Sequence, residues 1–276
     1  MMASKLELVL LVALLVAPVV MVAATAVERR FGPAVAGWVV AAPITIAIAT
    51  FVVGFDLGRH AAATLAESSA EHVSAQVAFA IAFAAVVRRR GGLAAMASGT
   101  AVYASLSLVI FWMPSAVAIV ASLAALVLGP RFLLDGPTPT PAVGNTLMST
   151  ATRAVVASAT VALTLSVARL AGPATAGATA AYPVVSATLA LLILRARGKD
   201  AASQALNGLC RGLPGYFSFC LAVTLAAPHF GVVFAVSFAL VICLTTYRIT
   251  WQTVRPATRR RQSPARSDNQ ALEPSS

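Results

Sequence analysis

Residues 32 to 43 read GPAVAGWVVAAP, and 140 positions later residues 172 to 183 read GPATAGATAAYP. Both follow the spacing G-P-A-x-A-G-x-x-x-A-x-P, and downstream Ala47, Gly58, Ala61 and Ala62 recur as Ala187, Gly198, Ala201 and Ala202. Aligned without gaps, residues 16–62 and 156–202 share fifteen identities in 47 positions, several of them Gly and Pro, which Ala-richness alone does not match. A duplication explains this, so the fold has to be assembled from two copies of one unit.

The medium for that unit follows from its polarity. With 59% hydrophobic residues, 11% charged residues and a mean hydropathy of +0.86, the 276-residue chain has too little charge to cover a water-soluble globule. Its apolar runs are continuous and rich in Ala, Leu and Val, whereas a β-barrel alternates polarity over segments of about ten residues. At ~20 residues per span, roughly nine helices use about 180 residues and leave only short connections. The expected fold class is all-α, a polytopic membrane helix bundle of about nine spans built from two inverted repeats. The run 6–27 reads as a retained first span rather than a signal peptide, because the repeat register gives it a partner at 155–170.

Apolar runs bounded by charge, Gly and Pro predict spans at 6–27, 34–54, 72–87, 93–112, 116–134, 147–170, 174–194, 213–227 and 230–250. The fifth has the shortest apolar core, and positive charge decides whether it crosses. With nine spans and a cytoplasmic tail, eleven basic loop residues lie inside and three outside; with eight spans the ratio falls to eight against six. The positive-inside rule favours nine, an extracytoplasmic N-terminus and a cytoplasmic C-terminus in the plasma membrane. Five spans in the first half then force the second copy to start from the opposite side. The organisation expected is a first repeat at 1–140 (five spans), a second at 141–250 (four spans) and a disordered basic cytoplasmic tail at 251–276. The formal charge of +11 does not point to nucleic acid, since six of the twenty basic residues lie between Arg248 and Arg266 and most others fall in short loops.

Each repeat enters its second helix through Gly-Pro, with Pro33 or Pro173 in the first turn, where no hydrogen bond is lost. Pro43 and Pro183 fall near mid-span, where each removes a backbone donor and crowds the carbonyl of Val39 or Thr179. In hydrocarbon such a carbonyl needs a neighbouring helix, water or a ligand. The candidate substrate-binding set is Gly37, Pro43 and Thr45 in the first repeat with Gly177, Thr179, Tyr182, Pro183 and Ser186 in the second. The competing reading is that Gly and Pro only permit close packing and a bend. Gln76, Tyr103, Ser105 and Ser107 are further polar groups within spans, suited to a pore or to helix-to-helix hydrogen bonds. Asp56 is expected to pair with Arg59.

In this reading no Asp, Glu, Lys or His falls at mid-span, which argues against a carboxylate-based proton antiporter. His60, His72 and His229 are isolated, with only His72 near acids, Glu67 and Glu71. Cys210, Cys220 and Cys243 form neither a metal pair nor an even disulfide set and read as packing residues. Catalytic motifs are missing, so no enzyme, metal or cofactor is expected.

The repeat order and the residues Gly32, Pro33, Gly37, Pro43, Gly172, Pro173, Gly177 and Pro183 resemble the five-plus-five inverted-repeat membrane proteins, of which the drug/metabolite transporter superfamily is the familiar case, here without a final span. The G-P-x-x-A-G pattern also resembles segments of bacterial integral membrane proteins, which implies no activity. The expected function is a secondary transporter or exporter of a small organic solute using a cavity between the repeats. The alternative is a non-transporting scaffold or accessory subunit that docks partner helices. The partners expected are the lipid bilayer and a small solute, with room for a homodimer.

Overall fold

The computed structural model describes residues 31–133, 155, 159 and 162–254. Among these the chain is helical, with no strand. The helices are α1 (Pro33–Val40), α2 (Ile44–Asp56), α3 (Arg59–Glu71), α4 (Val73–Arg90), α5 (Gly92–Phe111), α6 (Ser115–Phe132), α7 (Pro173–Ala181), α8 (Val184–Arg197), α9 (Lys199–Phe230) and α10 (Val232–Val254), and residues 162–170 are helical as well.

Six glycines set where helices begin. Gly32, Gly58, Gly91, Gly172, Gly198 and Gly231 all have φ between +82° and +94° and extended ψ, a backbone region that a Cβ all but forbids. They form three pairs, 32 with 172, 58 with 198 and 91 with 231, each 140 residues apart. The 140-residue recurrence noted over residues 16–62 thus extends in backbone conformation to Gly91 and Gly231, where side-chain identity has largely gone.

Seven helical stretches are long and apolar enough to cross a membrane: Pro33–Asp56, Arg59–Arg90, Gly92–Phe111, Ser115–Phe132, Pro173–Arg197, Lys199–Phe230 and Val232–Gln252. The chain is thus a multi-pass helical membrane protein. These seven correspond to seven of the nine expected spans, including the doubtful fifth. The expected span at 6–27, most of that at 147–170, the boundary at 140 and the tail beyond 254 lie outside the described residues. Three bounds differ from expectation. The third and eighth spans extend back to Arg59 and Lys199, because RHAAATLAESSAE and its counterpart, polar enough to pass for loops, are helices whose small faces are buried by neighbours. The helix α10 also continues past 250, where Trp251 packs on Trp38 at 5.1 Å between ring centroids.

The two long stretches form the centre, 61% and 67% buried over their most apolar windows, against 22%, 17% and 28% for α5, α6 and α10. The outer helices expose Leu108, Phe111, Trp112, Phe234, Phe238 and Leu244, large apolar side chains that hydrocarbon accepts and water does not.

The halves interlock reciprocally. Helix α1 lies on α9 and α7 lies on α3. A Cβ on Gly37 would overlap the Ala205 carbonyl oxygen, and one on Gly177 would overlap that of Leu65. These are the same contact, with both partners displaced by 140. Where α9 has Gly208 against the carbonyl of Ala34, α3 has Ser68 donating to the carbonyl of Ala174 at 2.7 Å. Further out, Gly54 faces the Val232 side chain while Gly92 faces that of Leu194, again the same pair with large and small exchanged.

Two ion pairs join the halves at opposite ends of the α3–α4 stretch. Asp56 accepts from Arg169 at 2.9 Å. The expected partner, Arg59, starts the next helix beyond Gly58, and Arg169 reaches the carboxylate instead. At the other end Arg88 meets Asp200 at 3.2 Å, and Lys199 Nζ donates to the Arg88 carbonyl at 3.0 Å.

Candidate functional site

Both mid-span prolines interrupt their helices outright. Pro43 (φ −77°, ψ 42°) and Pro183 (φ −80°, ψ 51°) are centres of inverse γ-turns, closed by Ile44 N–H to Ala42 O and Val184 N–H to Tyr182 O, both at 2.8 Å. The carbonyls expected to be released are satisfied locally. Val39 O accepts from Ala42 N–H at 3.0 Å and Thr179 O from Tyr182 N–H at 3.2 Å, because the chain tightens to three-residue spacing as it meets the proline.

The carbonyls of α7 that look outward are taken up by the other half. Ser68 donates to Ala174 O at 2.7 Å, Ser69 to Gly177 O at 3.0 Å, Tyr103 to Ala178 O at 2.6 Å, and the Gln76 carboxamide to Ala181 O. These carbonyls stand at i, i+3, i+4 and i+7, one face of a helix. Donors from α3, α4 and α5 therefore bind the α7 backbone along its whole length. Around the break, Tyr182 Oη and Thr100 Oγ1 are 2.6 Å apart, and the Tyr182 ring meets Tyr103 at 5.1 Å and Phe79 at 6.1 Å.

The first half's break is built differently. Its α1 packs on Gly208 and Gly212 of α9, backbone to backbone, with Trp38 meeting Tyr247 edge-on and Trp251 at a tilt and donating to Thr250 Oγ1 at 3.1 Å. The equivalent of Gln76 is Tyr216, buried with its Oη unbonded, and Ser107 Oγ and its counterpart Tyr247 Oη are likewise buried without a hydrogen bond. Polar capacity thus gathers on the Pro183 side.

Of the eight residues expected at the site, Gly37, Pro43, Gly177, Pro183 and Ser186 are buried, and Thr45, Thr179 and Tyr182 are half-buried. Gly37 and Gly177 lie in helix packing contacts, and Thr179 Oγ1 bonds its own helix at Thr175 O, 2.9 Å away. Tyr182 joins the polar cluster. Two cavities among the described residues lie elsewhere, one of 290 Å³ beside Asp56 and Arg169, the other of 410 Å³ between α9 and α10 at Leu225 and Phe238. Neither is lined by any of the eight.

The sequence reading missed Ser68, Ser69 and His72 as groups at this centre. Starting the third span at residue 72 put His72 at a membrane boundary, and the helix instead begins at Arg59. His72 lies about 20 Å of helix from Arg59 and about 24 Å from Arg88 at ~1.5 Å per residue. It is 4% exposed, sits at the α3–α4 junction and bonds the Ser68 carbonyl through Nδ1 at 2.7 Å. A backbone carbonyl only accepts, so Nδ1 carries a proton and Nε2 is the nitrogen left to change state. His72 is thus an ionisable side chain enclosed by the bundle. Among the described residues no three His, Cys, Asp or Glu side chains converge on a metal-sized site.

The chain matches no protein-family model, no curated protein and no solved structure.

Proposed function

We propose that the chain is a secondary transporter or exporter of a small organic solute, working by alternate exposure of a cavity between two inverted membrane repeats. The observation that carries this reading is the pair of interrupted helices, α1–α2 and α7–α8, each broken at the equivalent proline and each seated on the long helix of the other half. Discontinuous helices meeting across a repeat interface hold the solute near the bilayer centre in many transporters. The inverted order is supported by the ion pairs, which set the loop at 57–58 beside Arg169 and its counterpart at 197–198 beside Arg88, at the far end of the α3–α4 stretch. Nine spans in the plasma membrane, with the N-terminus outside and the C-terminus inside, then gather the basic loops on the cytoplasmic side. This arrangement is similar to the five-plus-five proteins without their final span.

The chemistry at the centre narrows the solute. Hydroxyls, a carboxamide, three aromatic rings and one imidazole surround the Pro183 break, which suits a neutral or amphipathic molecule with a flat face better than a strongly charged one.

The test compares exported metabolites between strains lacking the chain, overexpressing it, and expressing P43A or P183A at equal membrane levels. Solute-specific export that either alanine abolishes supports the transporter. Export unchanged by both substitutions, with loss of a co-purifying membrane partner, supports the scaffold reading and sinks this one.

A further inference from the structure

We propose that His72 is the coupling-ion site of this transporter and that the ion is a proton. This rests on the transport reading above and adds the energy source to it. The geometry is that of a carrier rather than a fixed structural charge. The two halves are built on one pattern, yet position 72 departs from it in chemistry: the equivalent residue of α9 is Gly212, pressed against the backbone of Trp38, whereas the α3–α4 stretch carries an imidazole. An ionisable side chain in the interior of a membrane bundle is costly and marks an ion path more often than a packing solution.

The surroundings suit both charge states. Nδ1–H is held on the Ser68 carbonyl at 2.7 Å, and the Ser107 backbone lies within electrostatic reach of the ring. Two further buried hydroxyls belong to this region, Ser107 Oγ beside Tyr103 and Tyr216 Oη beside Ser69. The titratable groups of this region are Glu67 and Glu71 on its own helical stretch, Tyr103 on α5 with its ring 6.5 Å away, Tyr182 beyond Tyr103 at the α7–α8 break, and Tyr216 on α9, which interacts with Tyr103 and Cys220. From α6 come Ser115, beside the Glu71 carboxylate, and Ser122, on the Glu71 carbonyl. The cation of this stretch of α9, Arg211, bonds Asn207 Oδ1 at 2.9 Å, and Asp56 of α2 is held by Arg169. Protonation at Nε2 takes one proton from one aqueous face, and its release to the other leaves the neutral ring unchanged.

The link to the solute is direct. The ring lies 6.5 Å from that of Tyr103, and Tyr103 both donates to Ala178 O and meets the Tyr182 ring edge-on. A charge change at His72 therefore acts on the bond that ties α5 to the broken helix.

Two measurements test this on the full-length chain. In lipid nanodiscs with isotope-labelled histidine, the His72 ring, assigned by its loss in H72Q, is expected to pass from imidazole to imidazolium as the pH is lowered from about 8 to about 5. A ring that stays neutral throughout overturns the proposal. In proteoliposomes loaded with a cell metabolite extract, wild-type efflux is expected to fall several-fold when a protonophore collapses the pH gradient. H72Q, or H72N if the first variant does not give a wild-type gel-filtration profile, is expected to pass solute equally with and without the gradient. Wild-type efflux indifferent to the gradient overturns the proton and leaves transport standing, whereas no efflux at any pH overturns transport and the proton together.

Discussion

Gly37 comes so close to the carbonyl of Ala205 that no Cβ fits between them, and Gly177 stands in the same relation to Leu65 with the halves exchanged. Two contacts of this kind, each pairing a broken helix with the other half's long helix, make the halves a single unit rather than neighbours. Their cost of disruption follows from what opposes the glycine, because a backbone carbonyl has no rotamer by which to yield.

Alanine at Gly37 or Gly177 is therefore expected to destabilise the folded bundle by about 1–3 kcal/mol or more, the usual range for overpacking. Gly92 gives the internal control. A Cβ there meets only the Leu194 and Leu191 Cδ2 atoms, at 2.8 and 2.9 Å, and a leucine tip can rotate away. Thermal unfolding of purified protein in detergent should show G37A and G177A well below wild type and G92A near it. Equal losses in all three would mean that the approach is not limited by backbone.

Exchanging residues between the repeats gives an asymmetric pair of outcomes. Ser68→Gly installs the residue found at the equivalent position 208 and removes one bond to Ala174 O, so a loss of about 1 kcal/mol is expected. Gly208→Ser drives a Cβ into the Ala34 carbonyl and is expected to prevent accumulation of folded protein. Comparable yields for the two variants, measured by fluorescence-detected gel filtration, would contradict the packing described for α1 on α9.

The Gly-Pro helix starts and the two proline breaks were legible in the sequence because Gly and Pro constrain the backbone wherever they occur. The outer spans were legible because lipid-facing helices are apolar all round. What stayed hidden was α3. Its ATLAESSAE segment is polar by composition, and only the arrival of α7 and α9 buries its Ala and Ser face, so hydropathy read a connection where a central helix stands. That misplacement hid His72 and the Ser68 and Ser69 donors with it. The kink carbonyls were misjudged for a related reason: a proline frees an acceptor only until a nearby N–H can turn toward it, and the turn at Ala42 or Tyr182 does so.

The buried bonds to α7 predict a graded series. Gln76→Leu and Tyr103→Phe each leave a carbonyl of the broken helix, Ala181 or Ala178, without its side-chain donor. An unpaired buried acceptor costs about 1–3 kcal/mol. The two carbonyls share one helix face, so the double variant is expected to lose less or more than the sum, and the coupling measured by a double-mutant cycle should be about 0.5 kcal/mol or larger. Strict additivity would show that the donors hold α7 independently.

The ion pairs at the two ends predict behaviour that stability alone does not reveal. Asp56 and Arg169 are 29% and 47% exposed and Arg88 and Asp200 39% and 56%, so each pair contributes little to folding, about 0–1 kcal/mol. D56N and D200N should therefore unfold near wild type. Both pairs nevertheless bridge the halves, and a cycle that opens each end in turn has to break them alternately. In a background with Cys210, Cys220 and Cys243 replaced by Ala, cross-linking D56C to R169C or R88C to D200C is expected to stop solute export, and reduction to restore it. Export that continues through both cross-links would show that the ends do not part.

Topology is decided at the loops that the paired glycines mark. Under the inverted arrangement a reporter fused after Leu57 is extracytoplasmic and one after Arg197 cytoplasmic, although the two positions are equivalent in the repeat. The loops at Gly91 and Gly231 reverse that order, cytoplasmic first. The contacts add a constraint that charge counting lacked: Asp56 has to share a side with Arg169, and Arg88 with Asp200, because ion pairs at 2.9 and 3.2 Å leave no membrane between them. Alkaline phosphatase and green fluorescent protein fusions at the four loops should therefore give complementary signals at Leu57 and Arg197 and the opposite pair at Gly91 and Gly231. The same signal at both members of a pair would make the repeats parallel, and the crossed contacts of Gly37 and Gly177 would then need another symmetry.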